Sequence, residues 1–240
     1  MRHHQNDILD LDLGNSRMKY RCGSRRGATS YASPLPVFDD SAQLRRIRVS
    51  SVLGEQRNAQ LSQSLTAAYG PECEFAQALR SCAGVVNGYR VPNRLGVDRW
   101  LAVVAAFNAF GPALVVDVGT AVTLDFVNDR GVHLGGYIVP GVQLLQQSLR
   151  ENTESVRFDT PVTAVQLQPG ADTDAAVTHG SFVTIVRLIE AELVRARQLC
   201  HHSARLVLCG GDAAGITEHL SCPYRLVADL VLDGLGYALP

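Results

Sequence analysis

Residues 8–20, ILDLDLGNSRMKY, and residues 114–126, LVVDVGTAVTLDF, follow one pattern. Each is an apolar run that ends in Asp-x-Gly, turns through a small polar residue and runs back. Asp12 aligns with Asp117, Gly14 with Gly119 and Asn15 with Thr120. The spacing is close to half of the 240-residue chain, which points to two similar halves. Each copy reads as a buried strand, a tight polar turn and a returning strand, at 18–22 in the first and 122–127 in the second. The second copy continues through the turn 128–131 into a third strand at 132–139.

Asp-x-Gly after a buried strand suits a nucleoside triphosphate. The carboxylate at the strand end can hold a cation, directly or through water. Glycine lets a phosphate approach the backbone N–H groups. The Asn, Ser or Thr that follows donates a side-chain hydrogen bond. One such motif is also ordinary turn chemistry; two in register, each after an apolar strand, are stronger. Gly210 and Gly211, after a third apolar strand, offer a surface without side chains on which an adenine could lie, or a plain turn.

Strands and helices interleave elsewhere, so the class is α/β. A strand is expected at 47–53, and a helix at 54–69 closed by Gly70 and Pro71. A short strand follows at 73–78. The helix 99–110 stops at Gly111 and Pro112, a natural boundary between a first half, 1–112, and a second, 113–240. A short amphipathic helix at 141–150 carries Val142, Leu145 and Leu149 on one face. A long helix at 174–201 carries Val183, Val186, Ile189, Leu193 and Ala196 as a buried stripe. Gly180 within it is expected to permit close packing, at about 1 kcal/mol of helix propensity. The basic run Arg17, Lys19, Arg21, Arg25 and Arg26 reads as a solvated hairpin face.

Composition closes several routes. The chain is 46% hydrophobic and 19% charged, with a formal charge of -1, so no basic excess exists to hold a nucleic-acid backbone. No apolar run approaches the roughly 20 residues of a membrane span. The polar start, MRHHQND, lacks a signal-peptide core, and the protein is expected in the cytoplasm, with residues 2–4 disordered. Six cysteines without CxxC spacing read as mostly buried structural thiols. Lys19 is the one lysine, outside any Walker context, so phosphates must be cradled another way. The histidines are paired adjacently or isolated, which disfavours a metal site built on them.

The most informative stretch is 87–100, NGYRVPNRLGVDRW. Gly96, Asp98 and Arg99 sit where a loop enters a helix. Asp98 reads either as a cap or as a base beside a cation, near a helix end that favours anions.

With these residues quoted, the chain resembles the type III pantothenate kinases of the acetate and sugar kinase/Hsp70/actin superfamily. The resemblance rests on DLGNSxxK (12–19), GYxxPxxLGxDRW (88–100), DVGTAxTxD (117–125), GGYIxPG (135–141) and GGD (210–212). It runs from residue 7 to residue 240. It implies two ribonuclease H-like, actin-like ATPase halves, each a mixed sheet flanked by helices. It also implies transfer of the γ-phosphoryl group of ATP to the primary hydroxyl of pantothenate, the first step of coenzyme A synthesis.

By the same resemblance, Asp12, Leu13, Gly14, Asn15, Ser16, Arg17, Met18 and Lys19 would form the first phosphate loop, with Asp12 positioning Mg²⁺ through the phosphates. Thr120 would contact ATP, and Gly210 and Gly211 would belong to the nucleotide site. Asp117 would take a monovalent cation, K⁺ or NH₄⁺. Asp98 would accept the proton of the pantothenate hydroxyl. Tyr89, Gly96, Val97, Asp98, Arg99 and Thr173 would hold pantothenate. The family is homodimeric, and the long helix is the candidate interface. Small departures exist: Ser16 stands where Thr is commoner, Cys209 where Thr is frequent, and Asp172 where Asn is frequent. The competing readings are a non-enzymatic accessory factor in transcription, as described for some relatives, and another kinase or a polyphosphatase of the superfamily. Intact Asp12, Asp98 and Arg99 favour the enzyme over the first, and the GYxxPxxLGxDR block favours pantothenate over the second.

Overall fold

The computed structural model describes residues 7–36, 44–158 and 165–240, and the expected disorder at 2–4 lies outside them. Cα packing separates two units, Met1–Asn108 with Asp229–Pro240, and Ala109–Ala228.

The first unit is built on β1 (Ile8–Leu13), β2 (Met18–Cys22), β3 (Arg25–Thr29), β4 (Arg46–Ser51) and, after helix α1 (Glu55–Tyr69), β5 (Cys73–Phe75). The sheet order is β3-β2-β1-β4-β5. β2 and β3 form an antiparallel meander with β1, while β4 and β5 add in parallel. Strand periodicity sends Leu9, Leu11 and Leu13 to one face, into a core with Ile47, Val49 and Leu65 of α1. Asp10 and Asp12 therefore occupy the opposite face. α1 stops at Gly70, whose φ of 98° and N–H bond to the Thr66 carbonyl close the last turn. A hairpin, β6 (Ser81–Cys82) with β7 (Val85–Val86), and a 3₁₀ turn, Pro92–Arg94, lead into α2 (Val97–Phe110).

The second unit repeats the plan. β8 (Ala113–Val118), β9 (Ala121–Val127) and β10 (His133–Pro140) form the meander. After α3 (Val142–Asn152) and α4 (Thr173–Leu199) come β11 (Arg205–Cys209), α5 (Ala213–Thr217) and β12 (Tyr224–Leu226). The order is β10-β9-β8-β11-β12, with β11 parallel to both β8 and β12. Ile185, Val186, Ile189 and Leu193 of α4 cover Leu114, Val116, Leu124 and Leu208. Ile185 takes the buried place that the spacing assigned to Val183, which is half-buried. Among the described residues no close approach occurs at Gly180, where an added Cβ would meet nothing within 4 Å. Val142 and Leu145 of α3 pack on the core, whereas Leu149, expected beside them, is 38% exposed.

The last helix, α6 (Leu230–Ala238), falls in the half the sequence bounded as 113–240, but it packs with the first unit, on β1 and β4. Gly234 makes the fit possible, since a Cβ there would lie 2.4 Å from the Leu101 carbonyl oxygen of α2. Arg21 and Arg48 fasten the helix by donating to the Leu232 and Leu239 carbonyls at 2.8 and 3.0 Å.

Strand for strand the two sheets are alike. A three-stranded meander with two parallel additions is the ribonuclease H-like topology, and its repetition is the actin-like ATPase arrangement that the resemblance implied. Among the described residues no helix is long and apolar enough to cross a membrane.

Candidate active site

Asp12 is the penultimate residue of β1, opposite Lys19 of β2 and Ser50 of β4. Ser50 is fully buried and its hydroxyl donates to Asp12 Oδ1 at 2.9 Å. The turn beyond closes through the Gly14 N–H on the Arg17 carbonyl at 3.2 Å. The Tyr31 hydroxyl donates to the Gly14 carbonyl at 2.6 Å. Burial pushes the Tyr31 phenol up to about 12; Arg57 opposes this and the Asp12 charge adds to it. Leu13 and Met18 are buried in the core, so their side chains serve packing and their backbone is what they can offer a ligand.

Asp117 holds the matching place in β8, opposite Thr123 of β9 and Cys209 of β11. Here backbone closes the turn. The Gly119 N–H donates to the Ala121 carbonyl at 3.1 Å, and the Gly141 N–H to the Thr120 carbonyl at 2.9 Å. A Cβ on Gly141 would lie 2.2 Å from the Gly119 carbonyl oxygen. Gly210, with φ of 99°, lies against the same strand end. A Cβ there would meet the Val118 carbonyl oxygen at 2.2 Å and Asp117 Oδ1 at 2.5 Å. Gly210 thus has a steric reason for being glycine. The loops after β4 and β11 return alike, with Val52 N–H on the Leu13 carbonyl and Asp212 N–H on the Val118 carbonyl, at 3.2 and 3.0 Å.

The 87–100 segment is pinned by Asn87, which is 1% exposed. Its side-chain amide donates to the Leu79 and Pro92 carbonyls, both at 3.2 Å, and its Oδ1 accepts the Tyr89 N–H at 3.0 Å. α2 starts at Val97, so Asp98 lies in its first turn. Its Oδ1 accepts the Arg99 N–H at 2.8 Å, satisfying one of the helix-end donors. The carboxylate leans back over Gly96, where a Cβ would fall 2.6 Å from Oδ1. Arg99 is 7% exposed; its Nη1 donates to the Tyr89 hydroxyl at 3.1 Å, and its guanidinium carbon stands 5.9 Å from the Tyr89 ring centroid. A cleft of about 590 Å³ is lined by Ser51, Leu53, Gln77, Arg94, Gly96 and Val97, among others. Ser51, which ends β4, brings that strand to the cleft.

The predicted residues divide between the units. Asp12–Lys19, Tyr89 and Gly96–Arg99 belong to the first; Asp117, Thr120, Thr173, Gly210 and Gly211 belong to the second. Within the first unit the Gly96–Val97 backbone shares a cleft with the strand beside Asp12. Within the second, Asp117 meets Gly210 and Thr120 meets Gly141. Thr173 opens α4, whose N-cap Asp172 accepts the Ala175 N–H at 2.8 Å.

Sequence reasoning placed Arg21 on a solvated face, but it is 6% exposed. It bonds to Asp10 at 3.0 Å and to Asp233. The reading missed Ser50 and Tyr31, because neither parallel register nor a loop clasp leaves a mark in the sequence. It also missed the buried pair His133 Nε2 and Asp125 Oδ1, 2.8 Å apart, which period-2 spacing on facing strands could have suggested.

Two Asp-x-Gly turns at matching ends of two ribonuclease H-like sheets define the class: an actin-like phosphotransferase fold. The family model of type III pantothenate kinase matches residues 8–195. The type III pantothenate kinase of Pseudomonas aeruginosa (strain LESB58) is 38% identical, over 97% of this chain and 99% of that protein. That of Ectopseudomonas mendocina (strain ymp) is 36% identical over the same shares. Among solved structures, a Campylobacter jejuni protein assigned to the Baf family of transcriptional activators superposes with a TM-score of 0.64 at 19% identity, over 95% of each chain, which speaks for the fold alone. The chain belongs to the type III pantothenate kinase family, and is a phosphotransferase.

Proposed function

We propose that this protein phosphorylates pantothenate with ATP, with Asp98 as the base and the Asp12–Lys19 turn as the first phosphate loop. The observation that carries the reading is the entry to α2. Gly96 leaves space that the Asp98 carboxylate fills, and Arg99 is held on Tyr89. A carboxylate and a guanidinium on successive residues, directly after the cleft-lining Gly96 and Val97, suit a substrate with a hydroxyl and a carboxylate of its own.

In the reaction the pantothenate hydroxyl proton passes to Asp98, the hydroxyl oxygen bonds the γ-phosphorus, and the bond from phosphorus to the β,γ-bridging oxygen breaks to release ADP. Positioning and neutralisation of spread charge dominate such a transfer. Arg99 orients the substrate carboxylate, with Tyr89, Gly96, Val97 and Thr173 completing its site. Thr120, Gly210 and Gly211 serve ATP. The oxygens of Asp12 and Asp117 are hard donors at strand ends, which fits Mg²⁺ through the phosphates at the first and K⁺ or NH₄⁺ at the second. Bound Mg²⁺ would neutralise charge on the phosphate oxygens. Asp12 is kept in place for that by Ser50.

We place the enzyme in the cytoplasm as a homodimer. Exposed Val194 and Leu199 on α4, at 56% and 51%, support that helix as the interface. Light scattering that finds only monomer at micromolar concentration refutes this part. The reading as a whole is tested by pantothenate-dependent ATP consumption, repeated with sugars and acetate, with and without K⁺. Turnover that requires pantothenate is expected; its absence under every condition overturns the proposal.

A further inference from the structure

We propose that Tyr31 is a positioning residue for ATP: its hydroxyl holds the Gly14 carbonyl and thereby aims the Asn15 amide at the phosphates. The inference rests on the reading of 12–19 as a phosphate loop.

The Gly14 carbonyl and the Asn15 N–H belong to one planar trans peptide and point in opposite directions. Fixing the first fixes the second. The intraturn bond from the Gly14 N–H to the Arg17 carbonyl acts on the preceding peptide and leaves this one to rotate. With glycine on one side, rotation is cheap. A flipped peptide would present a carbonyl oxygen to an anion. The Tyr31 hydroxyl, 2.6 Å from that oxygen, opposes the flip. Its own place is secured twice. The ring packs against the first-unit core, and the Arg57 guanidinium of α1 stands 4.3 Å from its centroid. The phenol, raised to about 12, stays protonated and so stays a donor at any working pH.

The second unit gives independent support. Leu13 faces Met18, which faces Thr29; Val118 faces Val122, which faces Val139. Counting two residues on from Thr29 and from Val139, Tyr31 falls where Gly141 stands. Gly141 also clasps its turn, by donating its N–H to the Thr120 carbonyl. The same structural position fastens a carbonyl of both turns, with a phenol on Gly14 in the first and with backbone one residue further on, at Thr120, in the second.

Tyr31→Phe removes the hydroxyl and keeps the ring. Dissociation constants for ATP and adenosine, measured by calorimetry, and KM for ATP and pantothenate are compared with the parent. Loss of one such hydrogen bond predicts about a tenfold rise in the ATP constant and in KM for ATP. Adenosine binding and KM for pantothenate should stay within about twofold. Unaltered ATP affinity overturns the proposal, as does equal weakening for adenosine, which would mean general loosening. Parent protein that binds ATP but ignores pantothenate would sink the proposed function while the ATP-to-adenosine ratio still decides Tyr31. Parent protein that binds no ATP would sink both.

Discussion

The two Asp-x-Gly turns share strand position and flanking loops, and a backbone bond closes each, yet the first is one residue longer and different chemistry fastens them further. The first relies on side chains, Ser50 on Asp12 and Tyr31 on Gly14. The second relies on glycines, with Gly141 bonded through its backbone and Gly210 pressed against Asp117. The sheets diverge in the same way one step back. Asp10 faces Arg21 in the first, while Val115 faces Asp125 in the second. The two sheets share a topology, which backbone hydrogen bonds fix, while their side chains differ.

The largest effect expected tests that difference. If the first unit carries the base and the second the monovalent cation, Asp98→Asn should lower kcat about 10²–10⁴-fold and leave the response to K⁺ intact. Asp117→Asn should flatten the K⁺ response instead. The amide oxygen that Asp98→Asn introduces can still accept the Arg99 N–H, so the thermal midpoint should hold. Near-normal kcat in Asp98→Asn removes that residue from the mechanism, and loss of the K⁺ response there breaks the division of roles.

Next in size is the buried ion pair of the first sheet, Arg21 with Asp10. Arg21→Leu leaves the Asp10 carboxylate, 4% exposed, with Arg48 Nε at 2.7 Å as its remaining cation among the described partners, and strips α6 of its bond at Leu232. Breaking such a pair costs about 3 kcal/mol. Asp10→Asn with Arg21→Leu, which removes the buried charge and keeps an acceptor for Arg48 Nε, should recover part of the loss in urea unfolding. A double variant no better than the single one would mean that Arg21 acts through α6 rather than through Asp10.

A smaller contrast sets the fastenings against each other. Gly141→Ala drives a Cβ into the Gly119 carbonyl, which is backbone and cannot swing aside, and should cost about 3 kcal/mol. Ser50→Ala loses one hydrogen bond to a carboxylate and should cost about 1–2 kcal/mol. Equal costs in chemical denaturation would erase the distinction between steric and polar fastening.

The features legible in sequence share one trait: they are local. The two Asp-x-Gly turns follow apolar runs that must be strands, and the Gly70 and Gly111 stops need no tertiary knowledge. The topology followed from the repeat and the resemblance. What stayed hidden depends on which strand lies beside which. Ser50 matters because β4 runs parallel to β1 with Ser50 level with Asp12. Arg21 looks solvated in a basic run until α6 arrives from the far end of the chain with Asp233 and the Leu232 carbonyl. Asp98 was ambiguous for a physical reason, since the same oxygen that could take a proton also accepts a first-turn N–H.

The smallest effect concerns how each sheet pins its outer parallel strand. In the first, Glu74 of β5 accepts from Arg46 Nε and Nη2 at 2.8 and 2.7 Å, a charge pair that is partly open to water. In the second, Glu190 of α4 accepts the Ser221 N–H at 3.0 Å and the Ser221 hydroxyl, just ahead of β12. Both carboxyls are held below their ordinary range, Glu74 chiefly by the Arg46 hydrogen bonds and Glu190 chiefly by Ser221. A depressed carboxyl contributes stability that is fully present above its unfolded pKa of roughly 4.3 and is lost as pH falls through the lower folded value. Glu74→Gln and Glu190→Gln should therefore each cost up to about 1 kcal/mol at pH 7 and converge on the parent below about pH 3. Salt separates them. An exposed ion pair is screened within roughly 3 Å at 1 M salt, whereas neutral donors are not. The Glu74→Gln deficit should fade in about 1 M NaCl and that of Glu190→Gln should persist, both read as unfolding midpoints. Equal fading would show that Arg187, 2.7 Å from Glu190, holds that edge rather than Ser221.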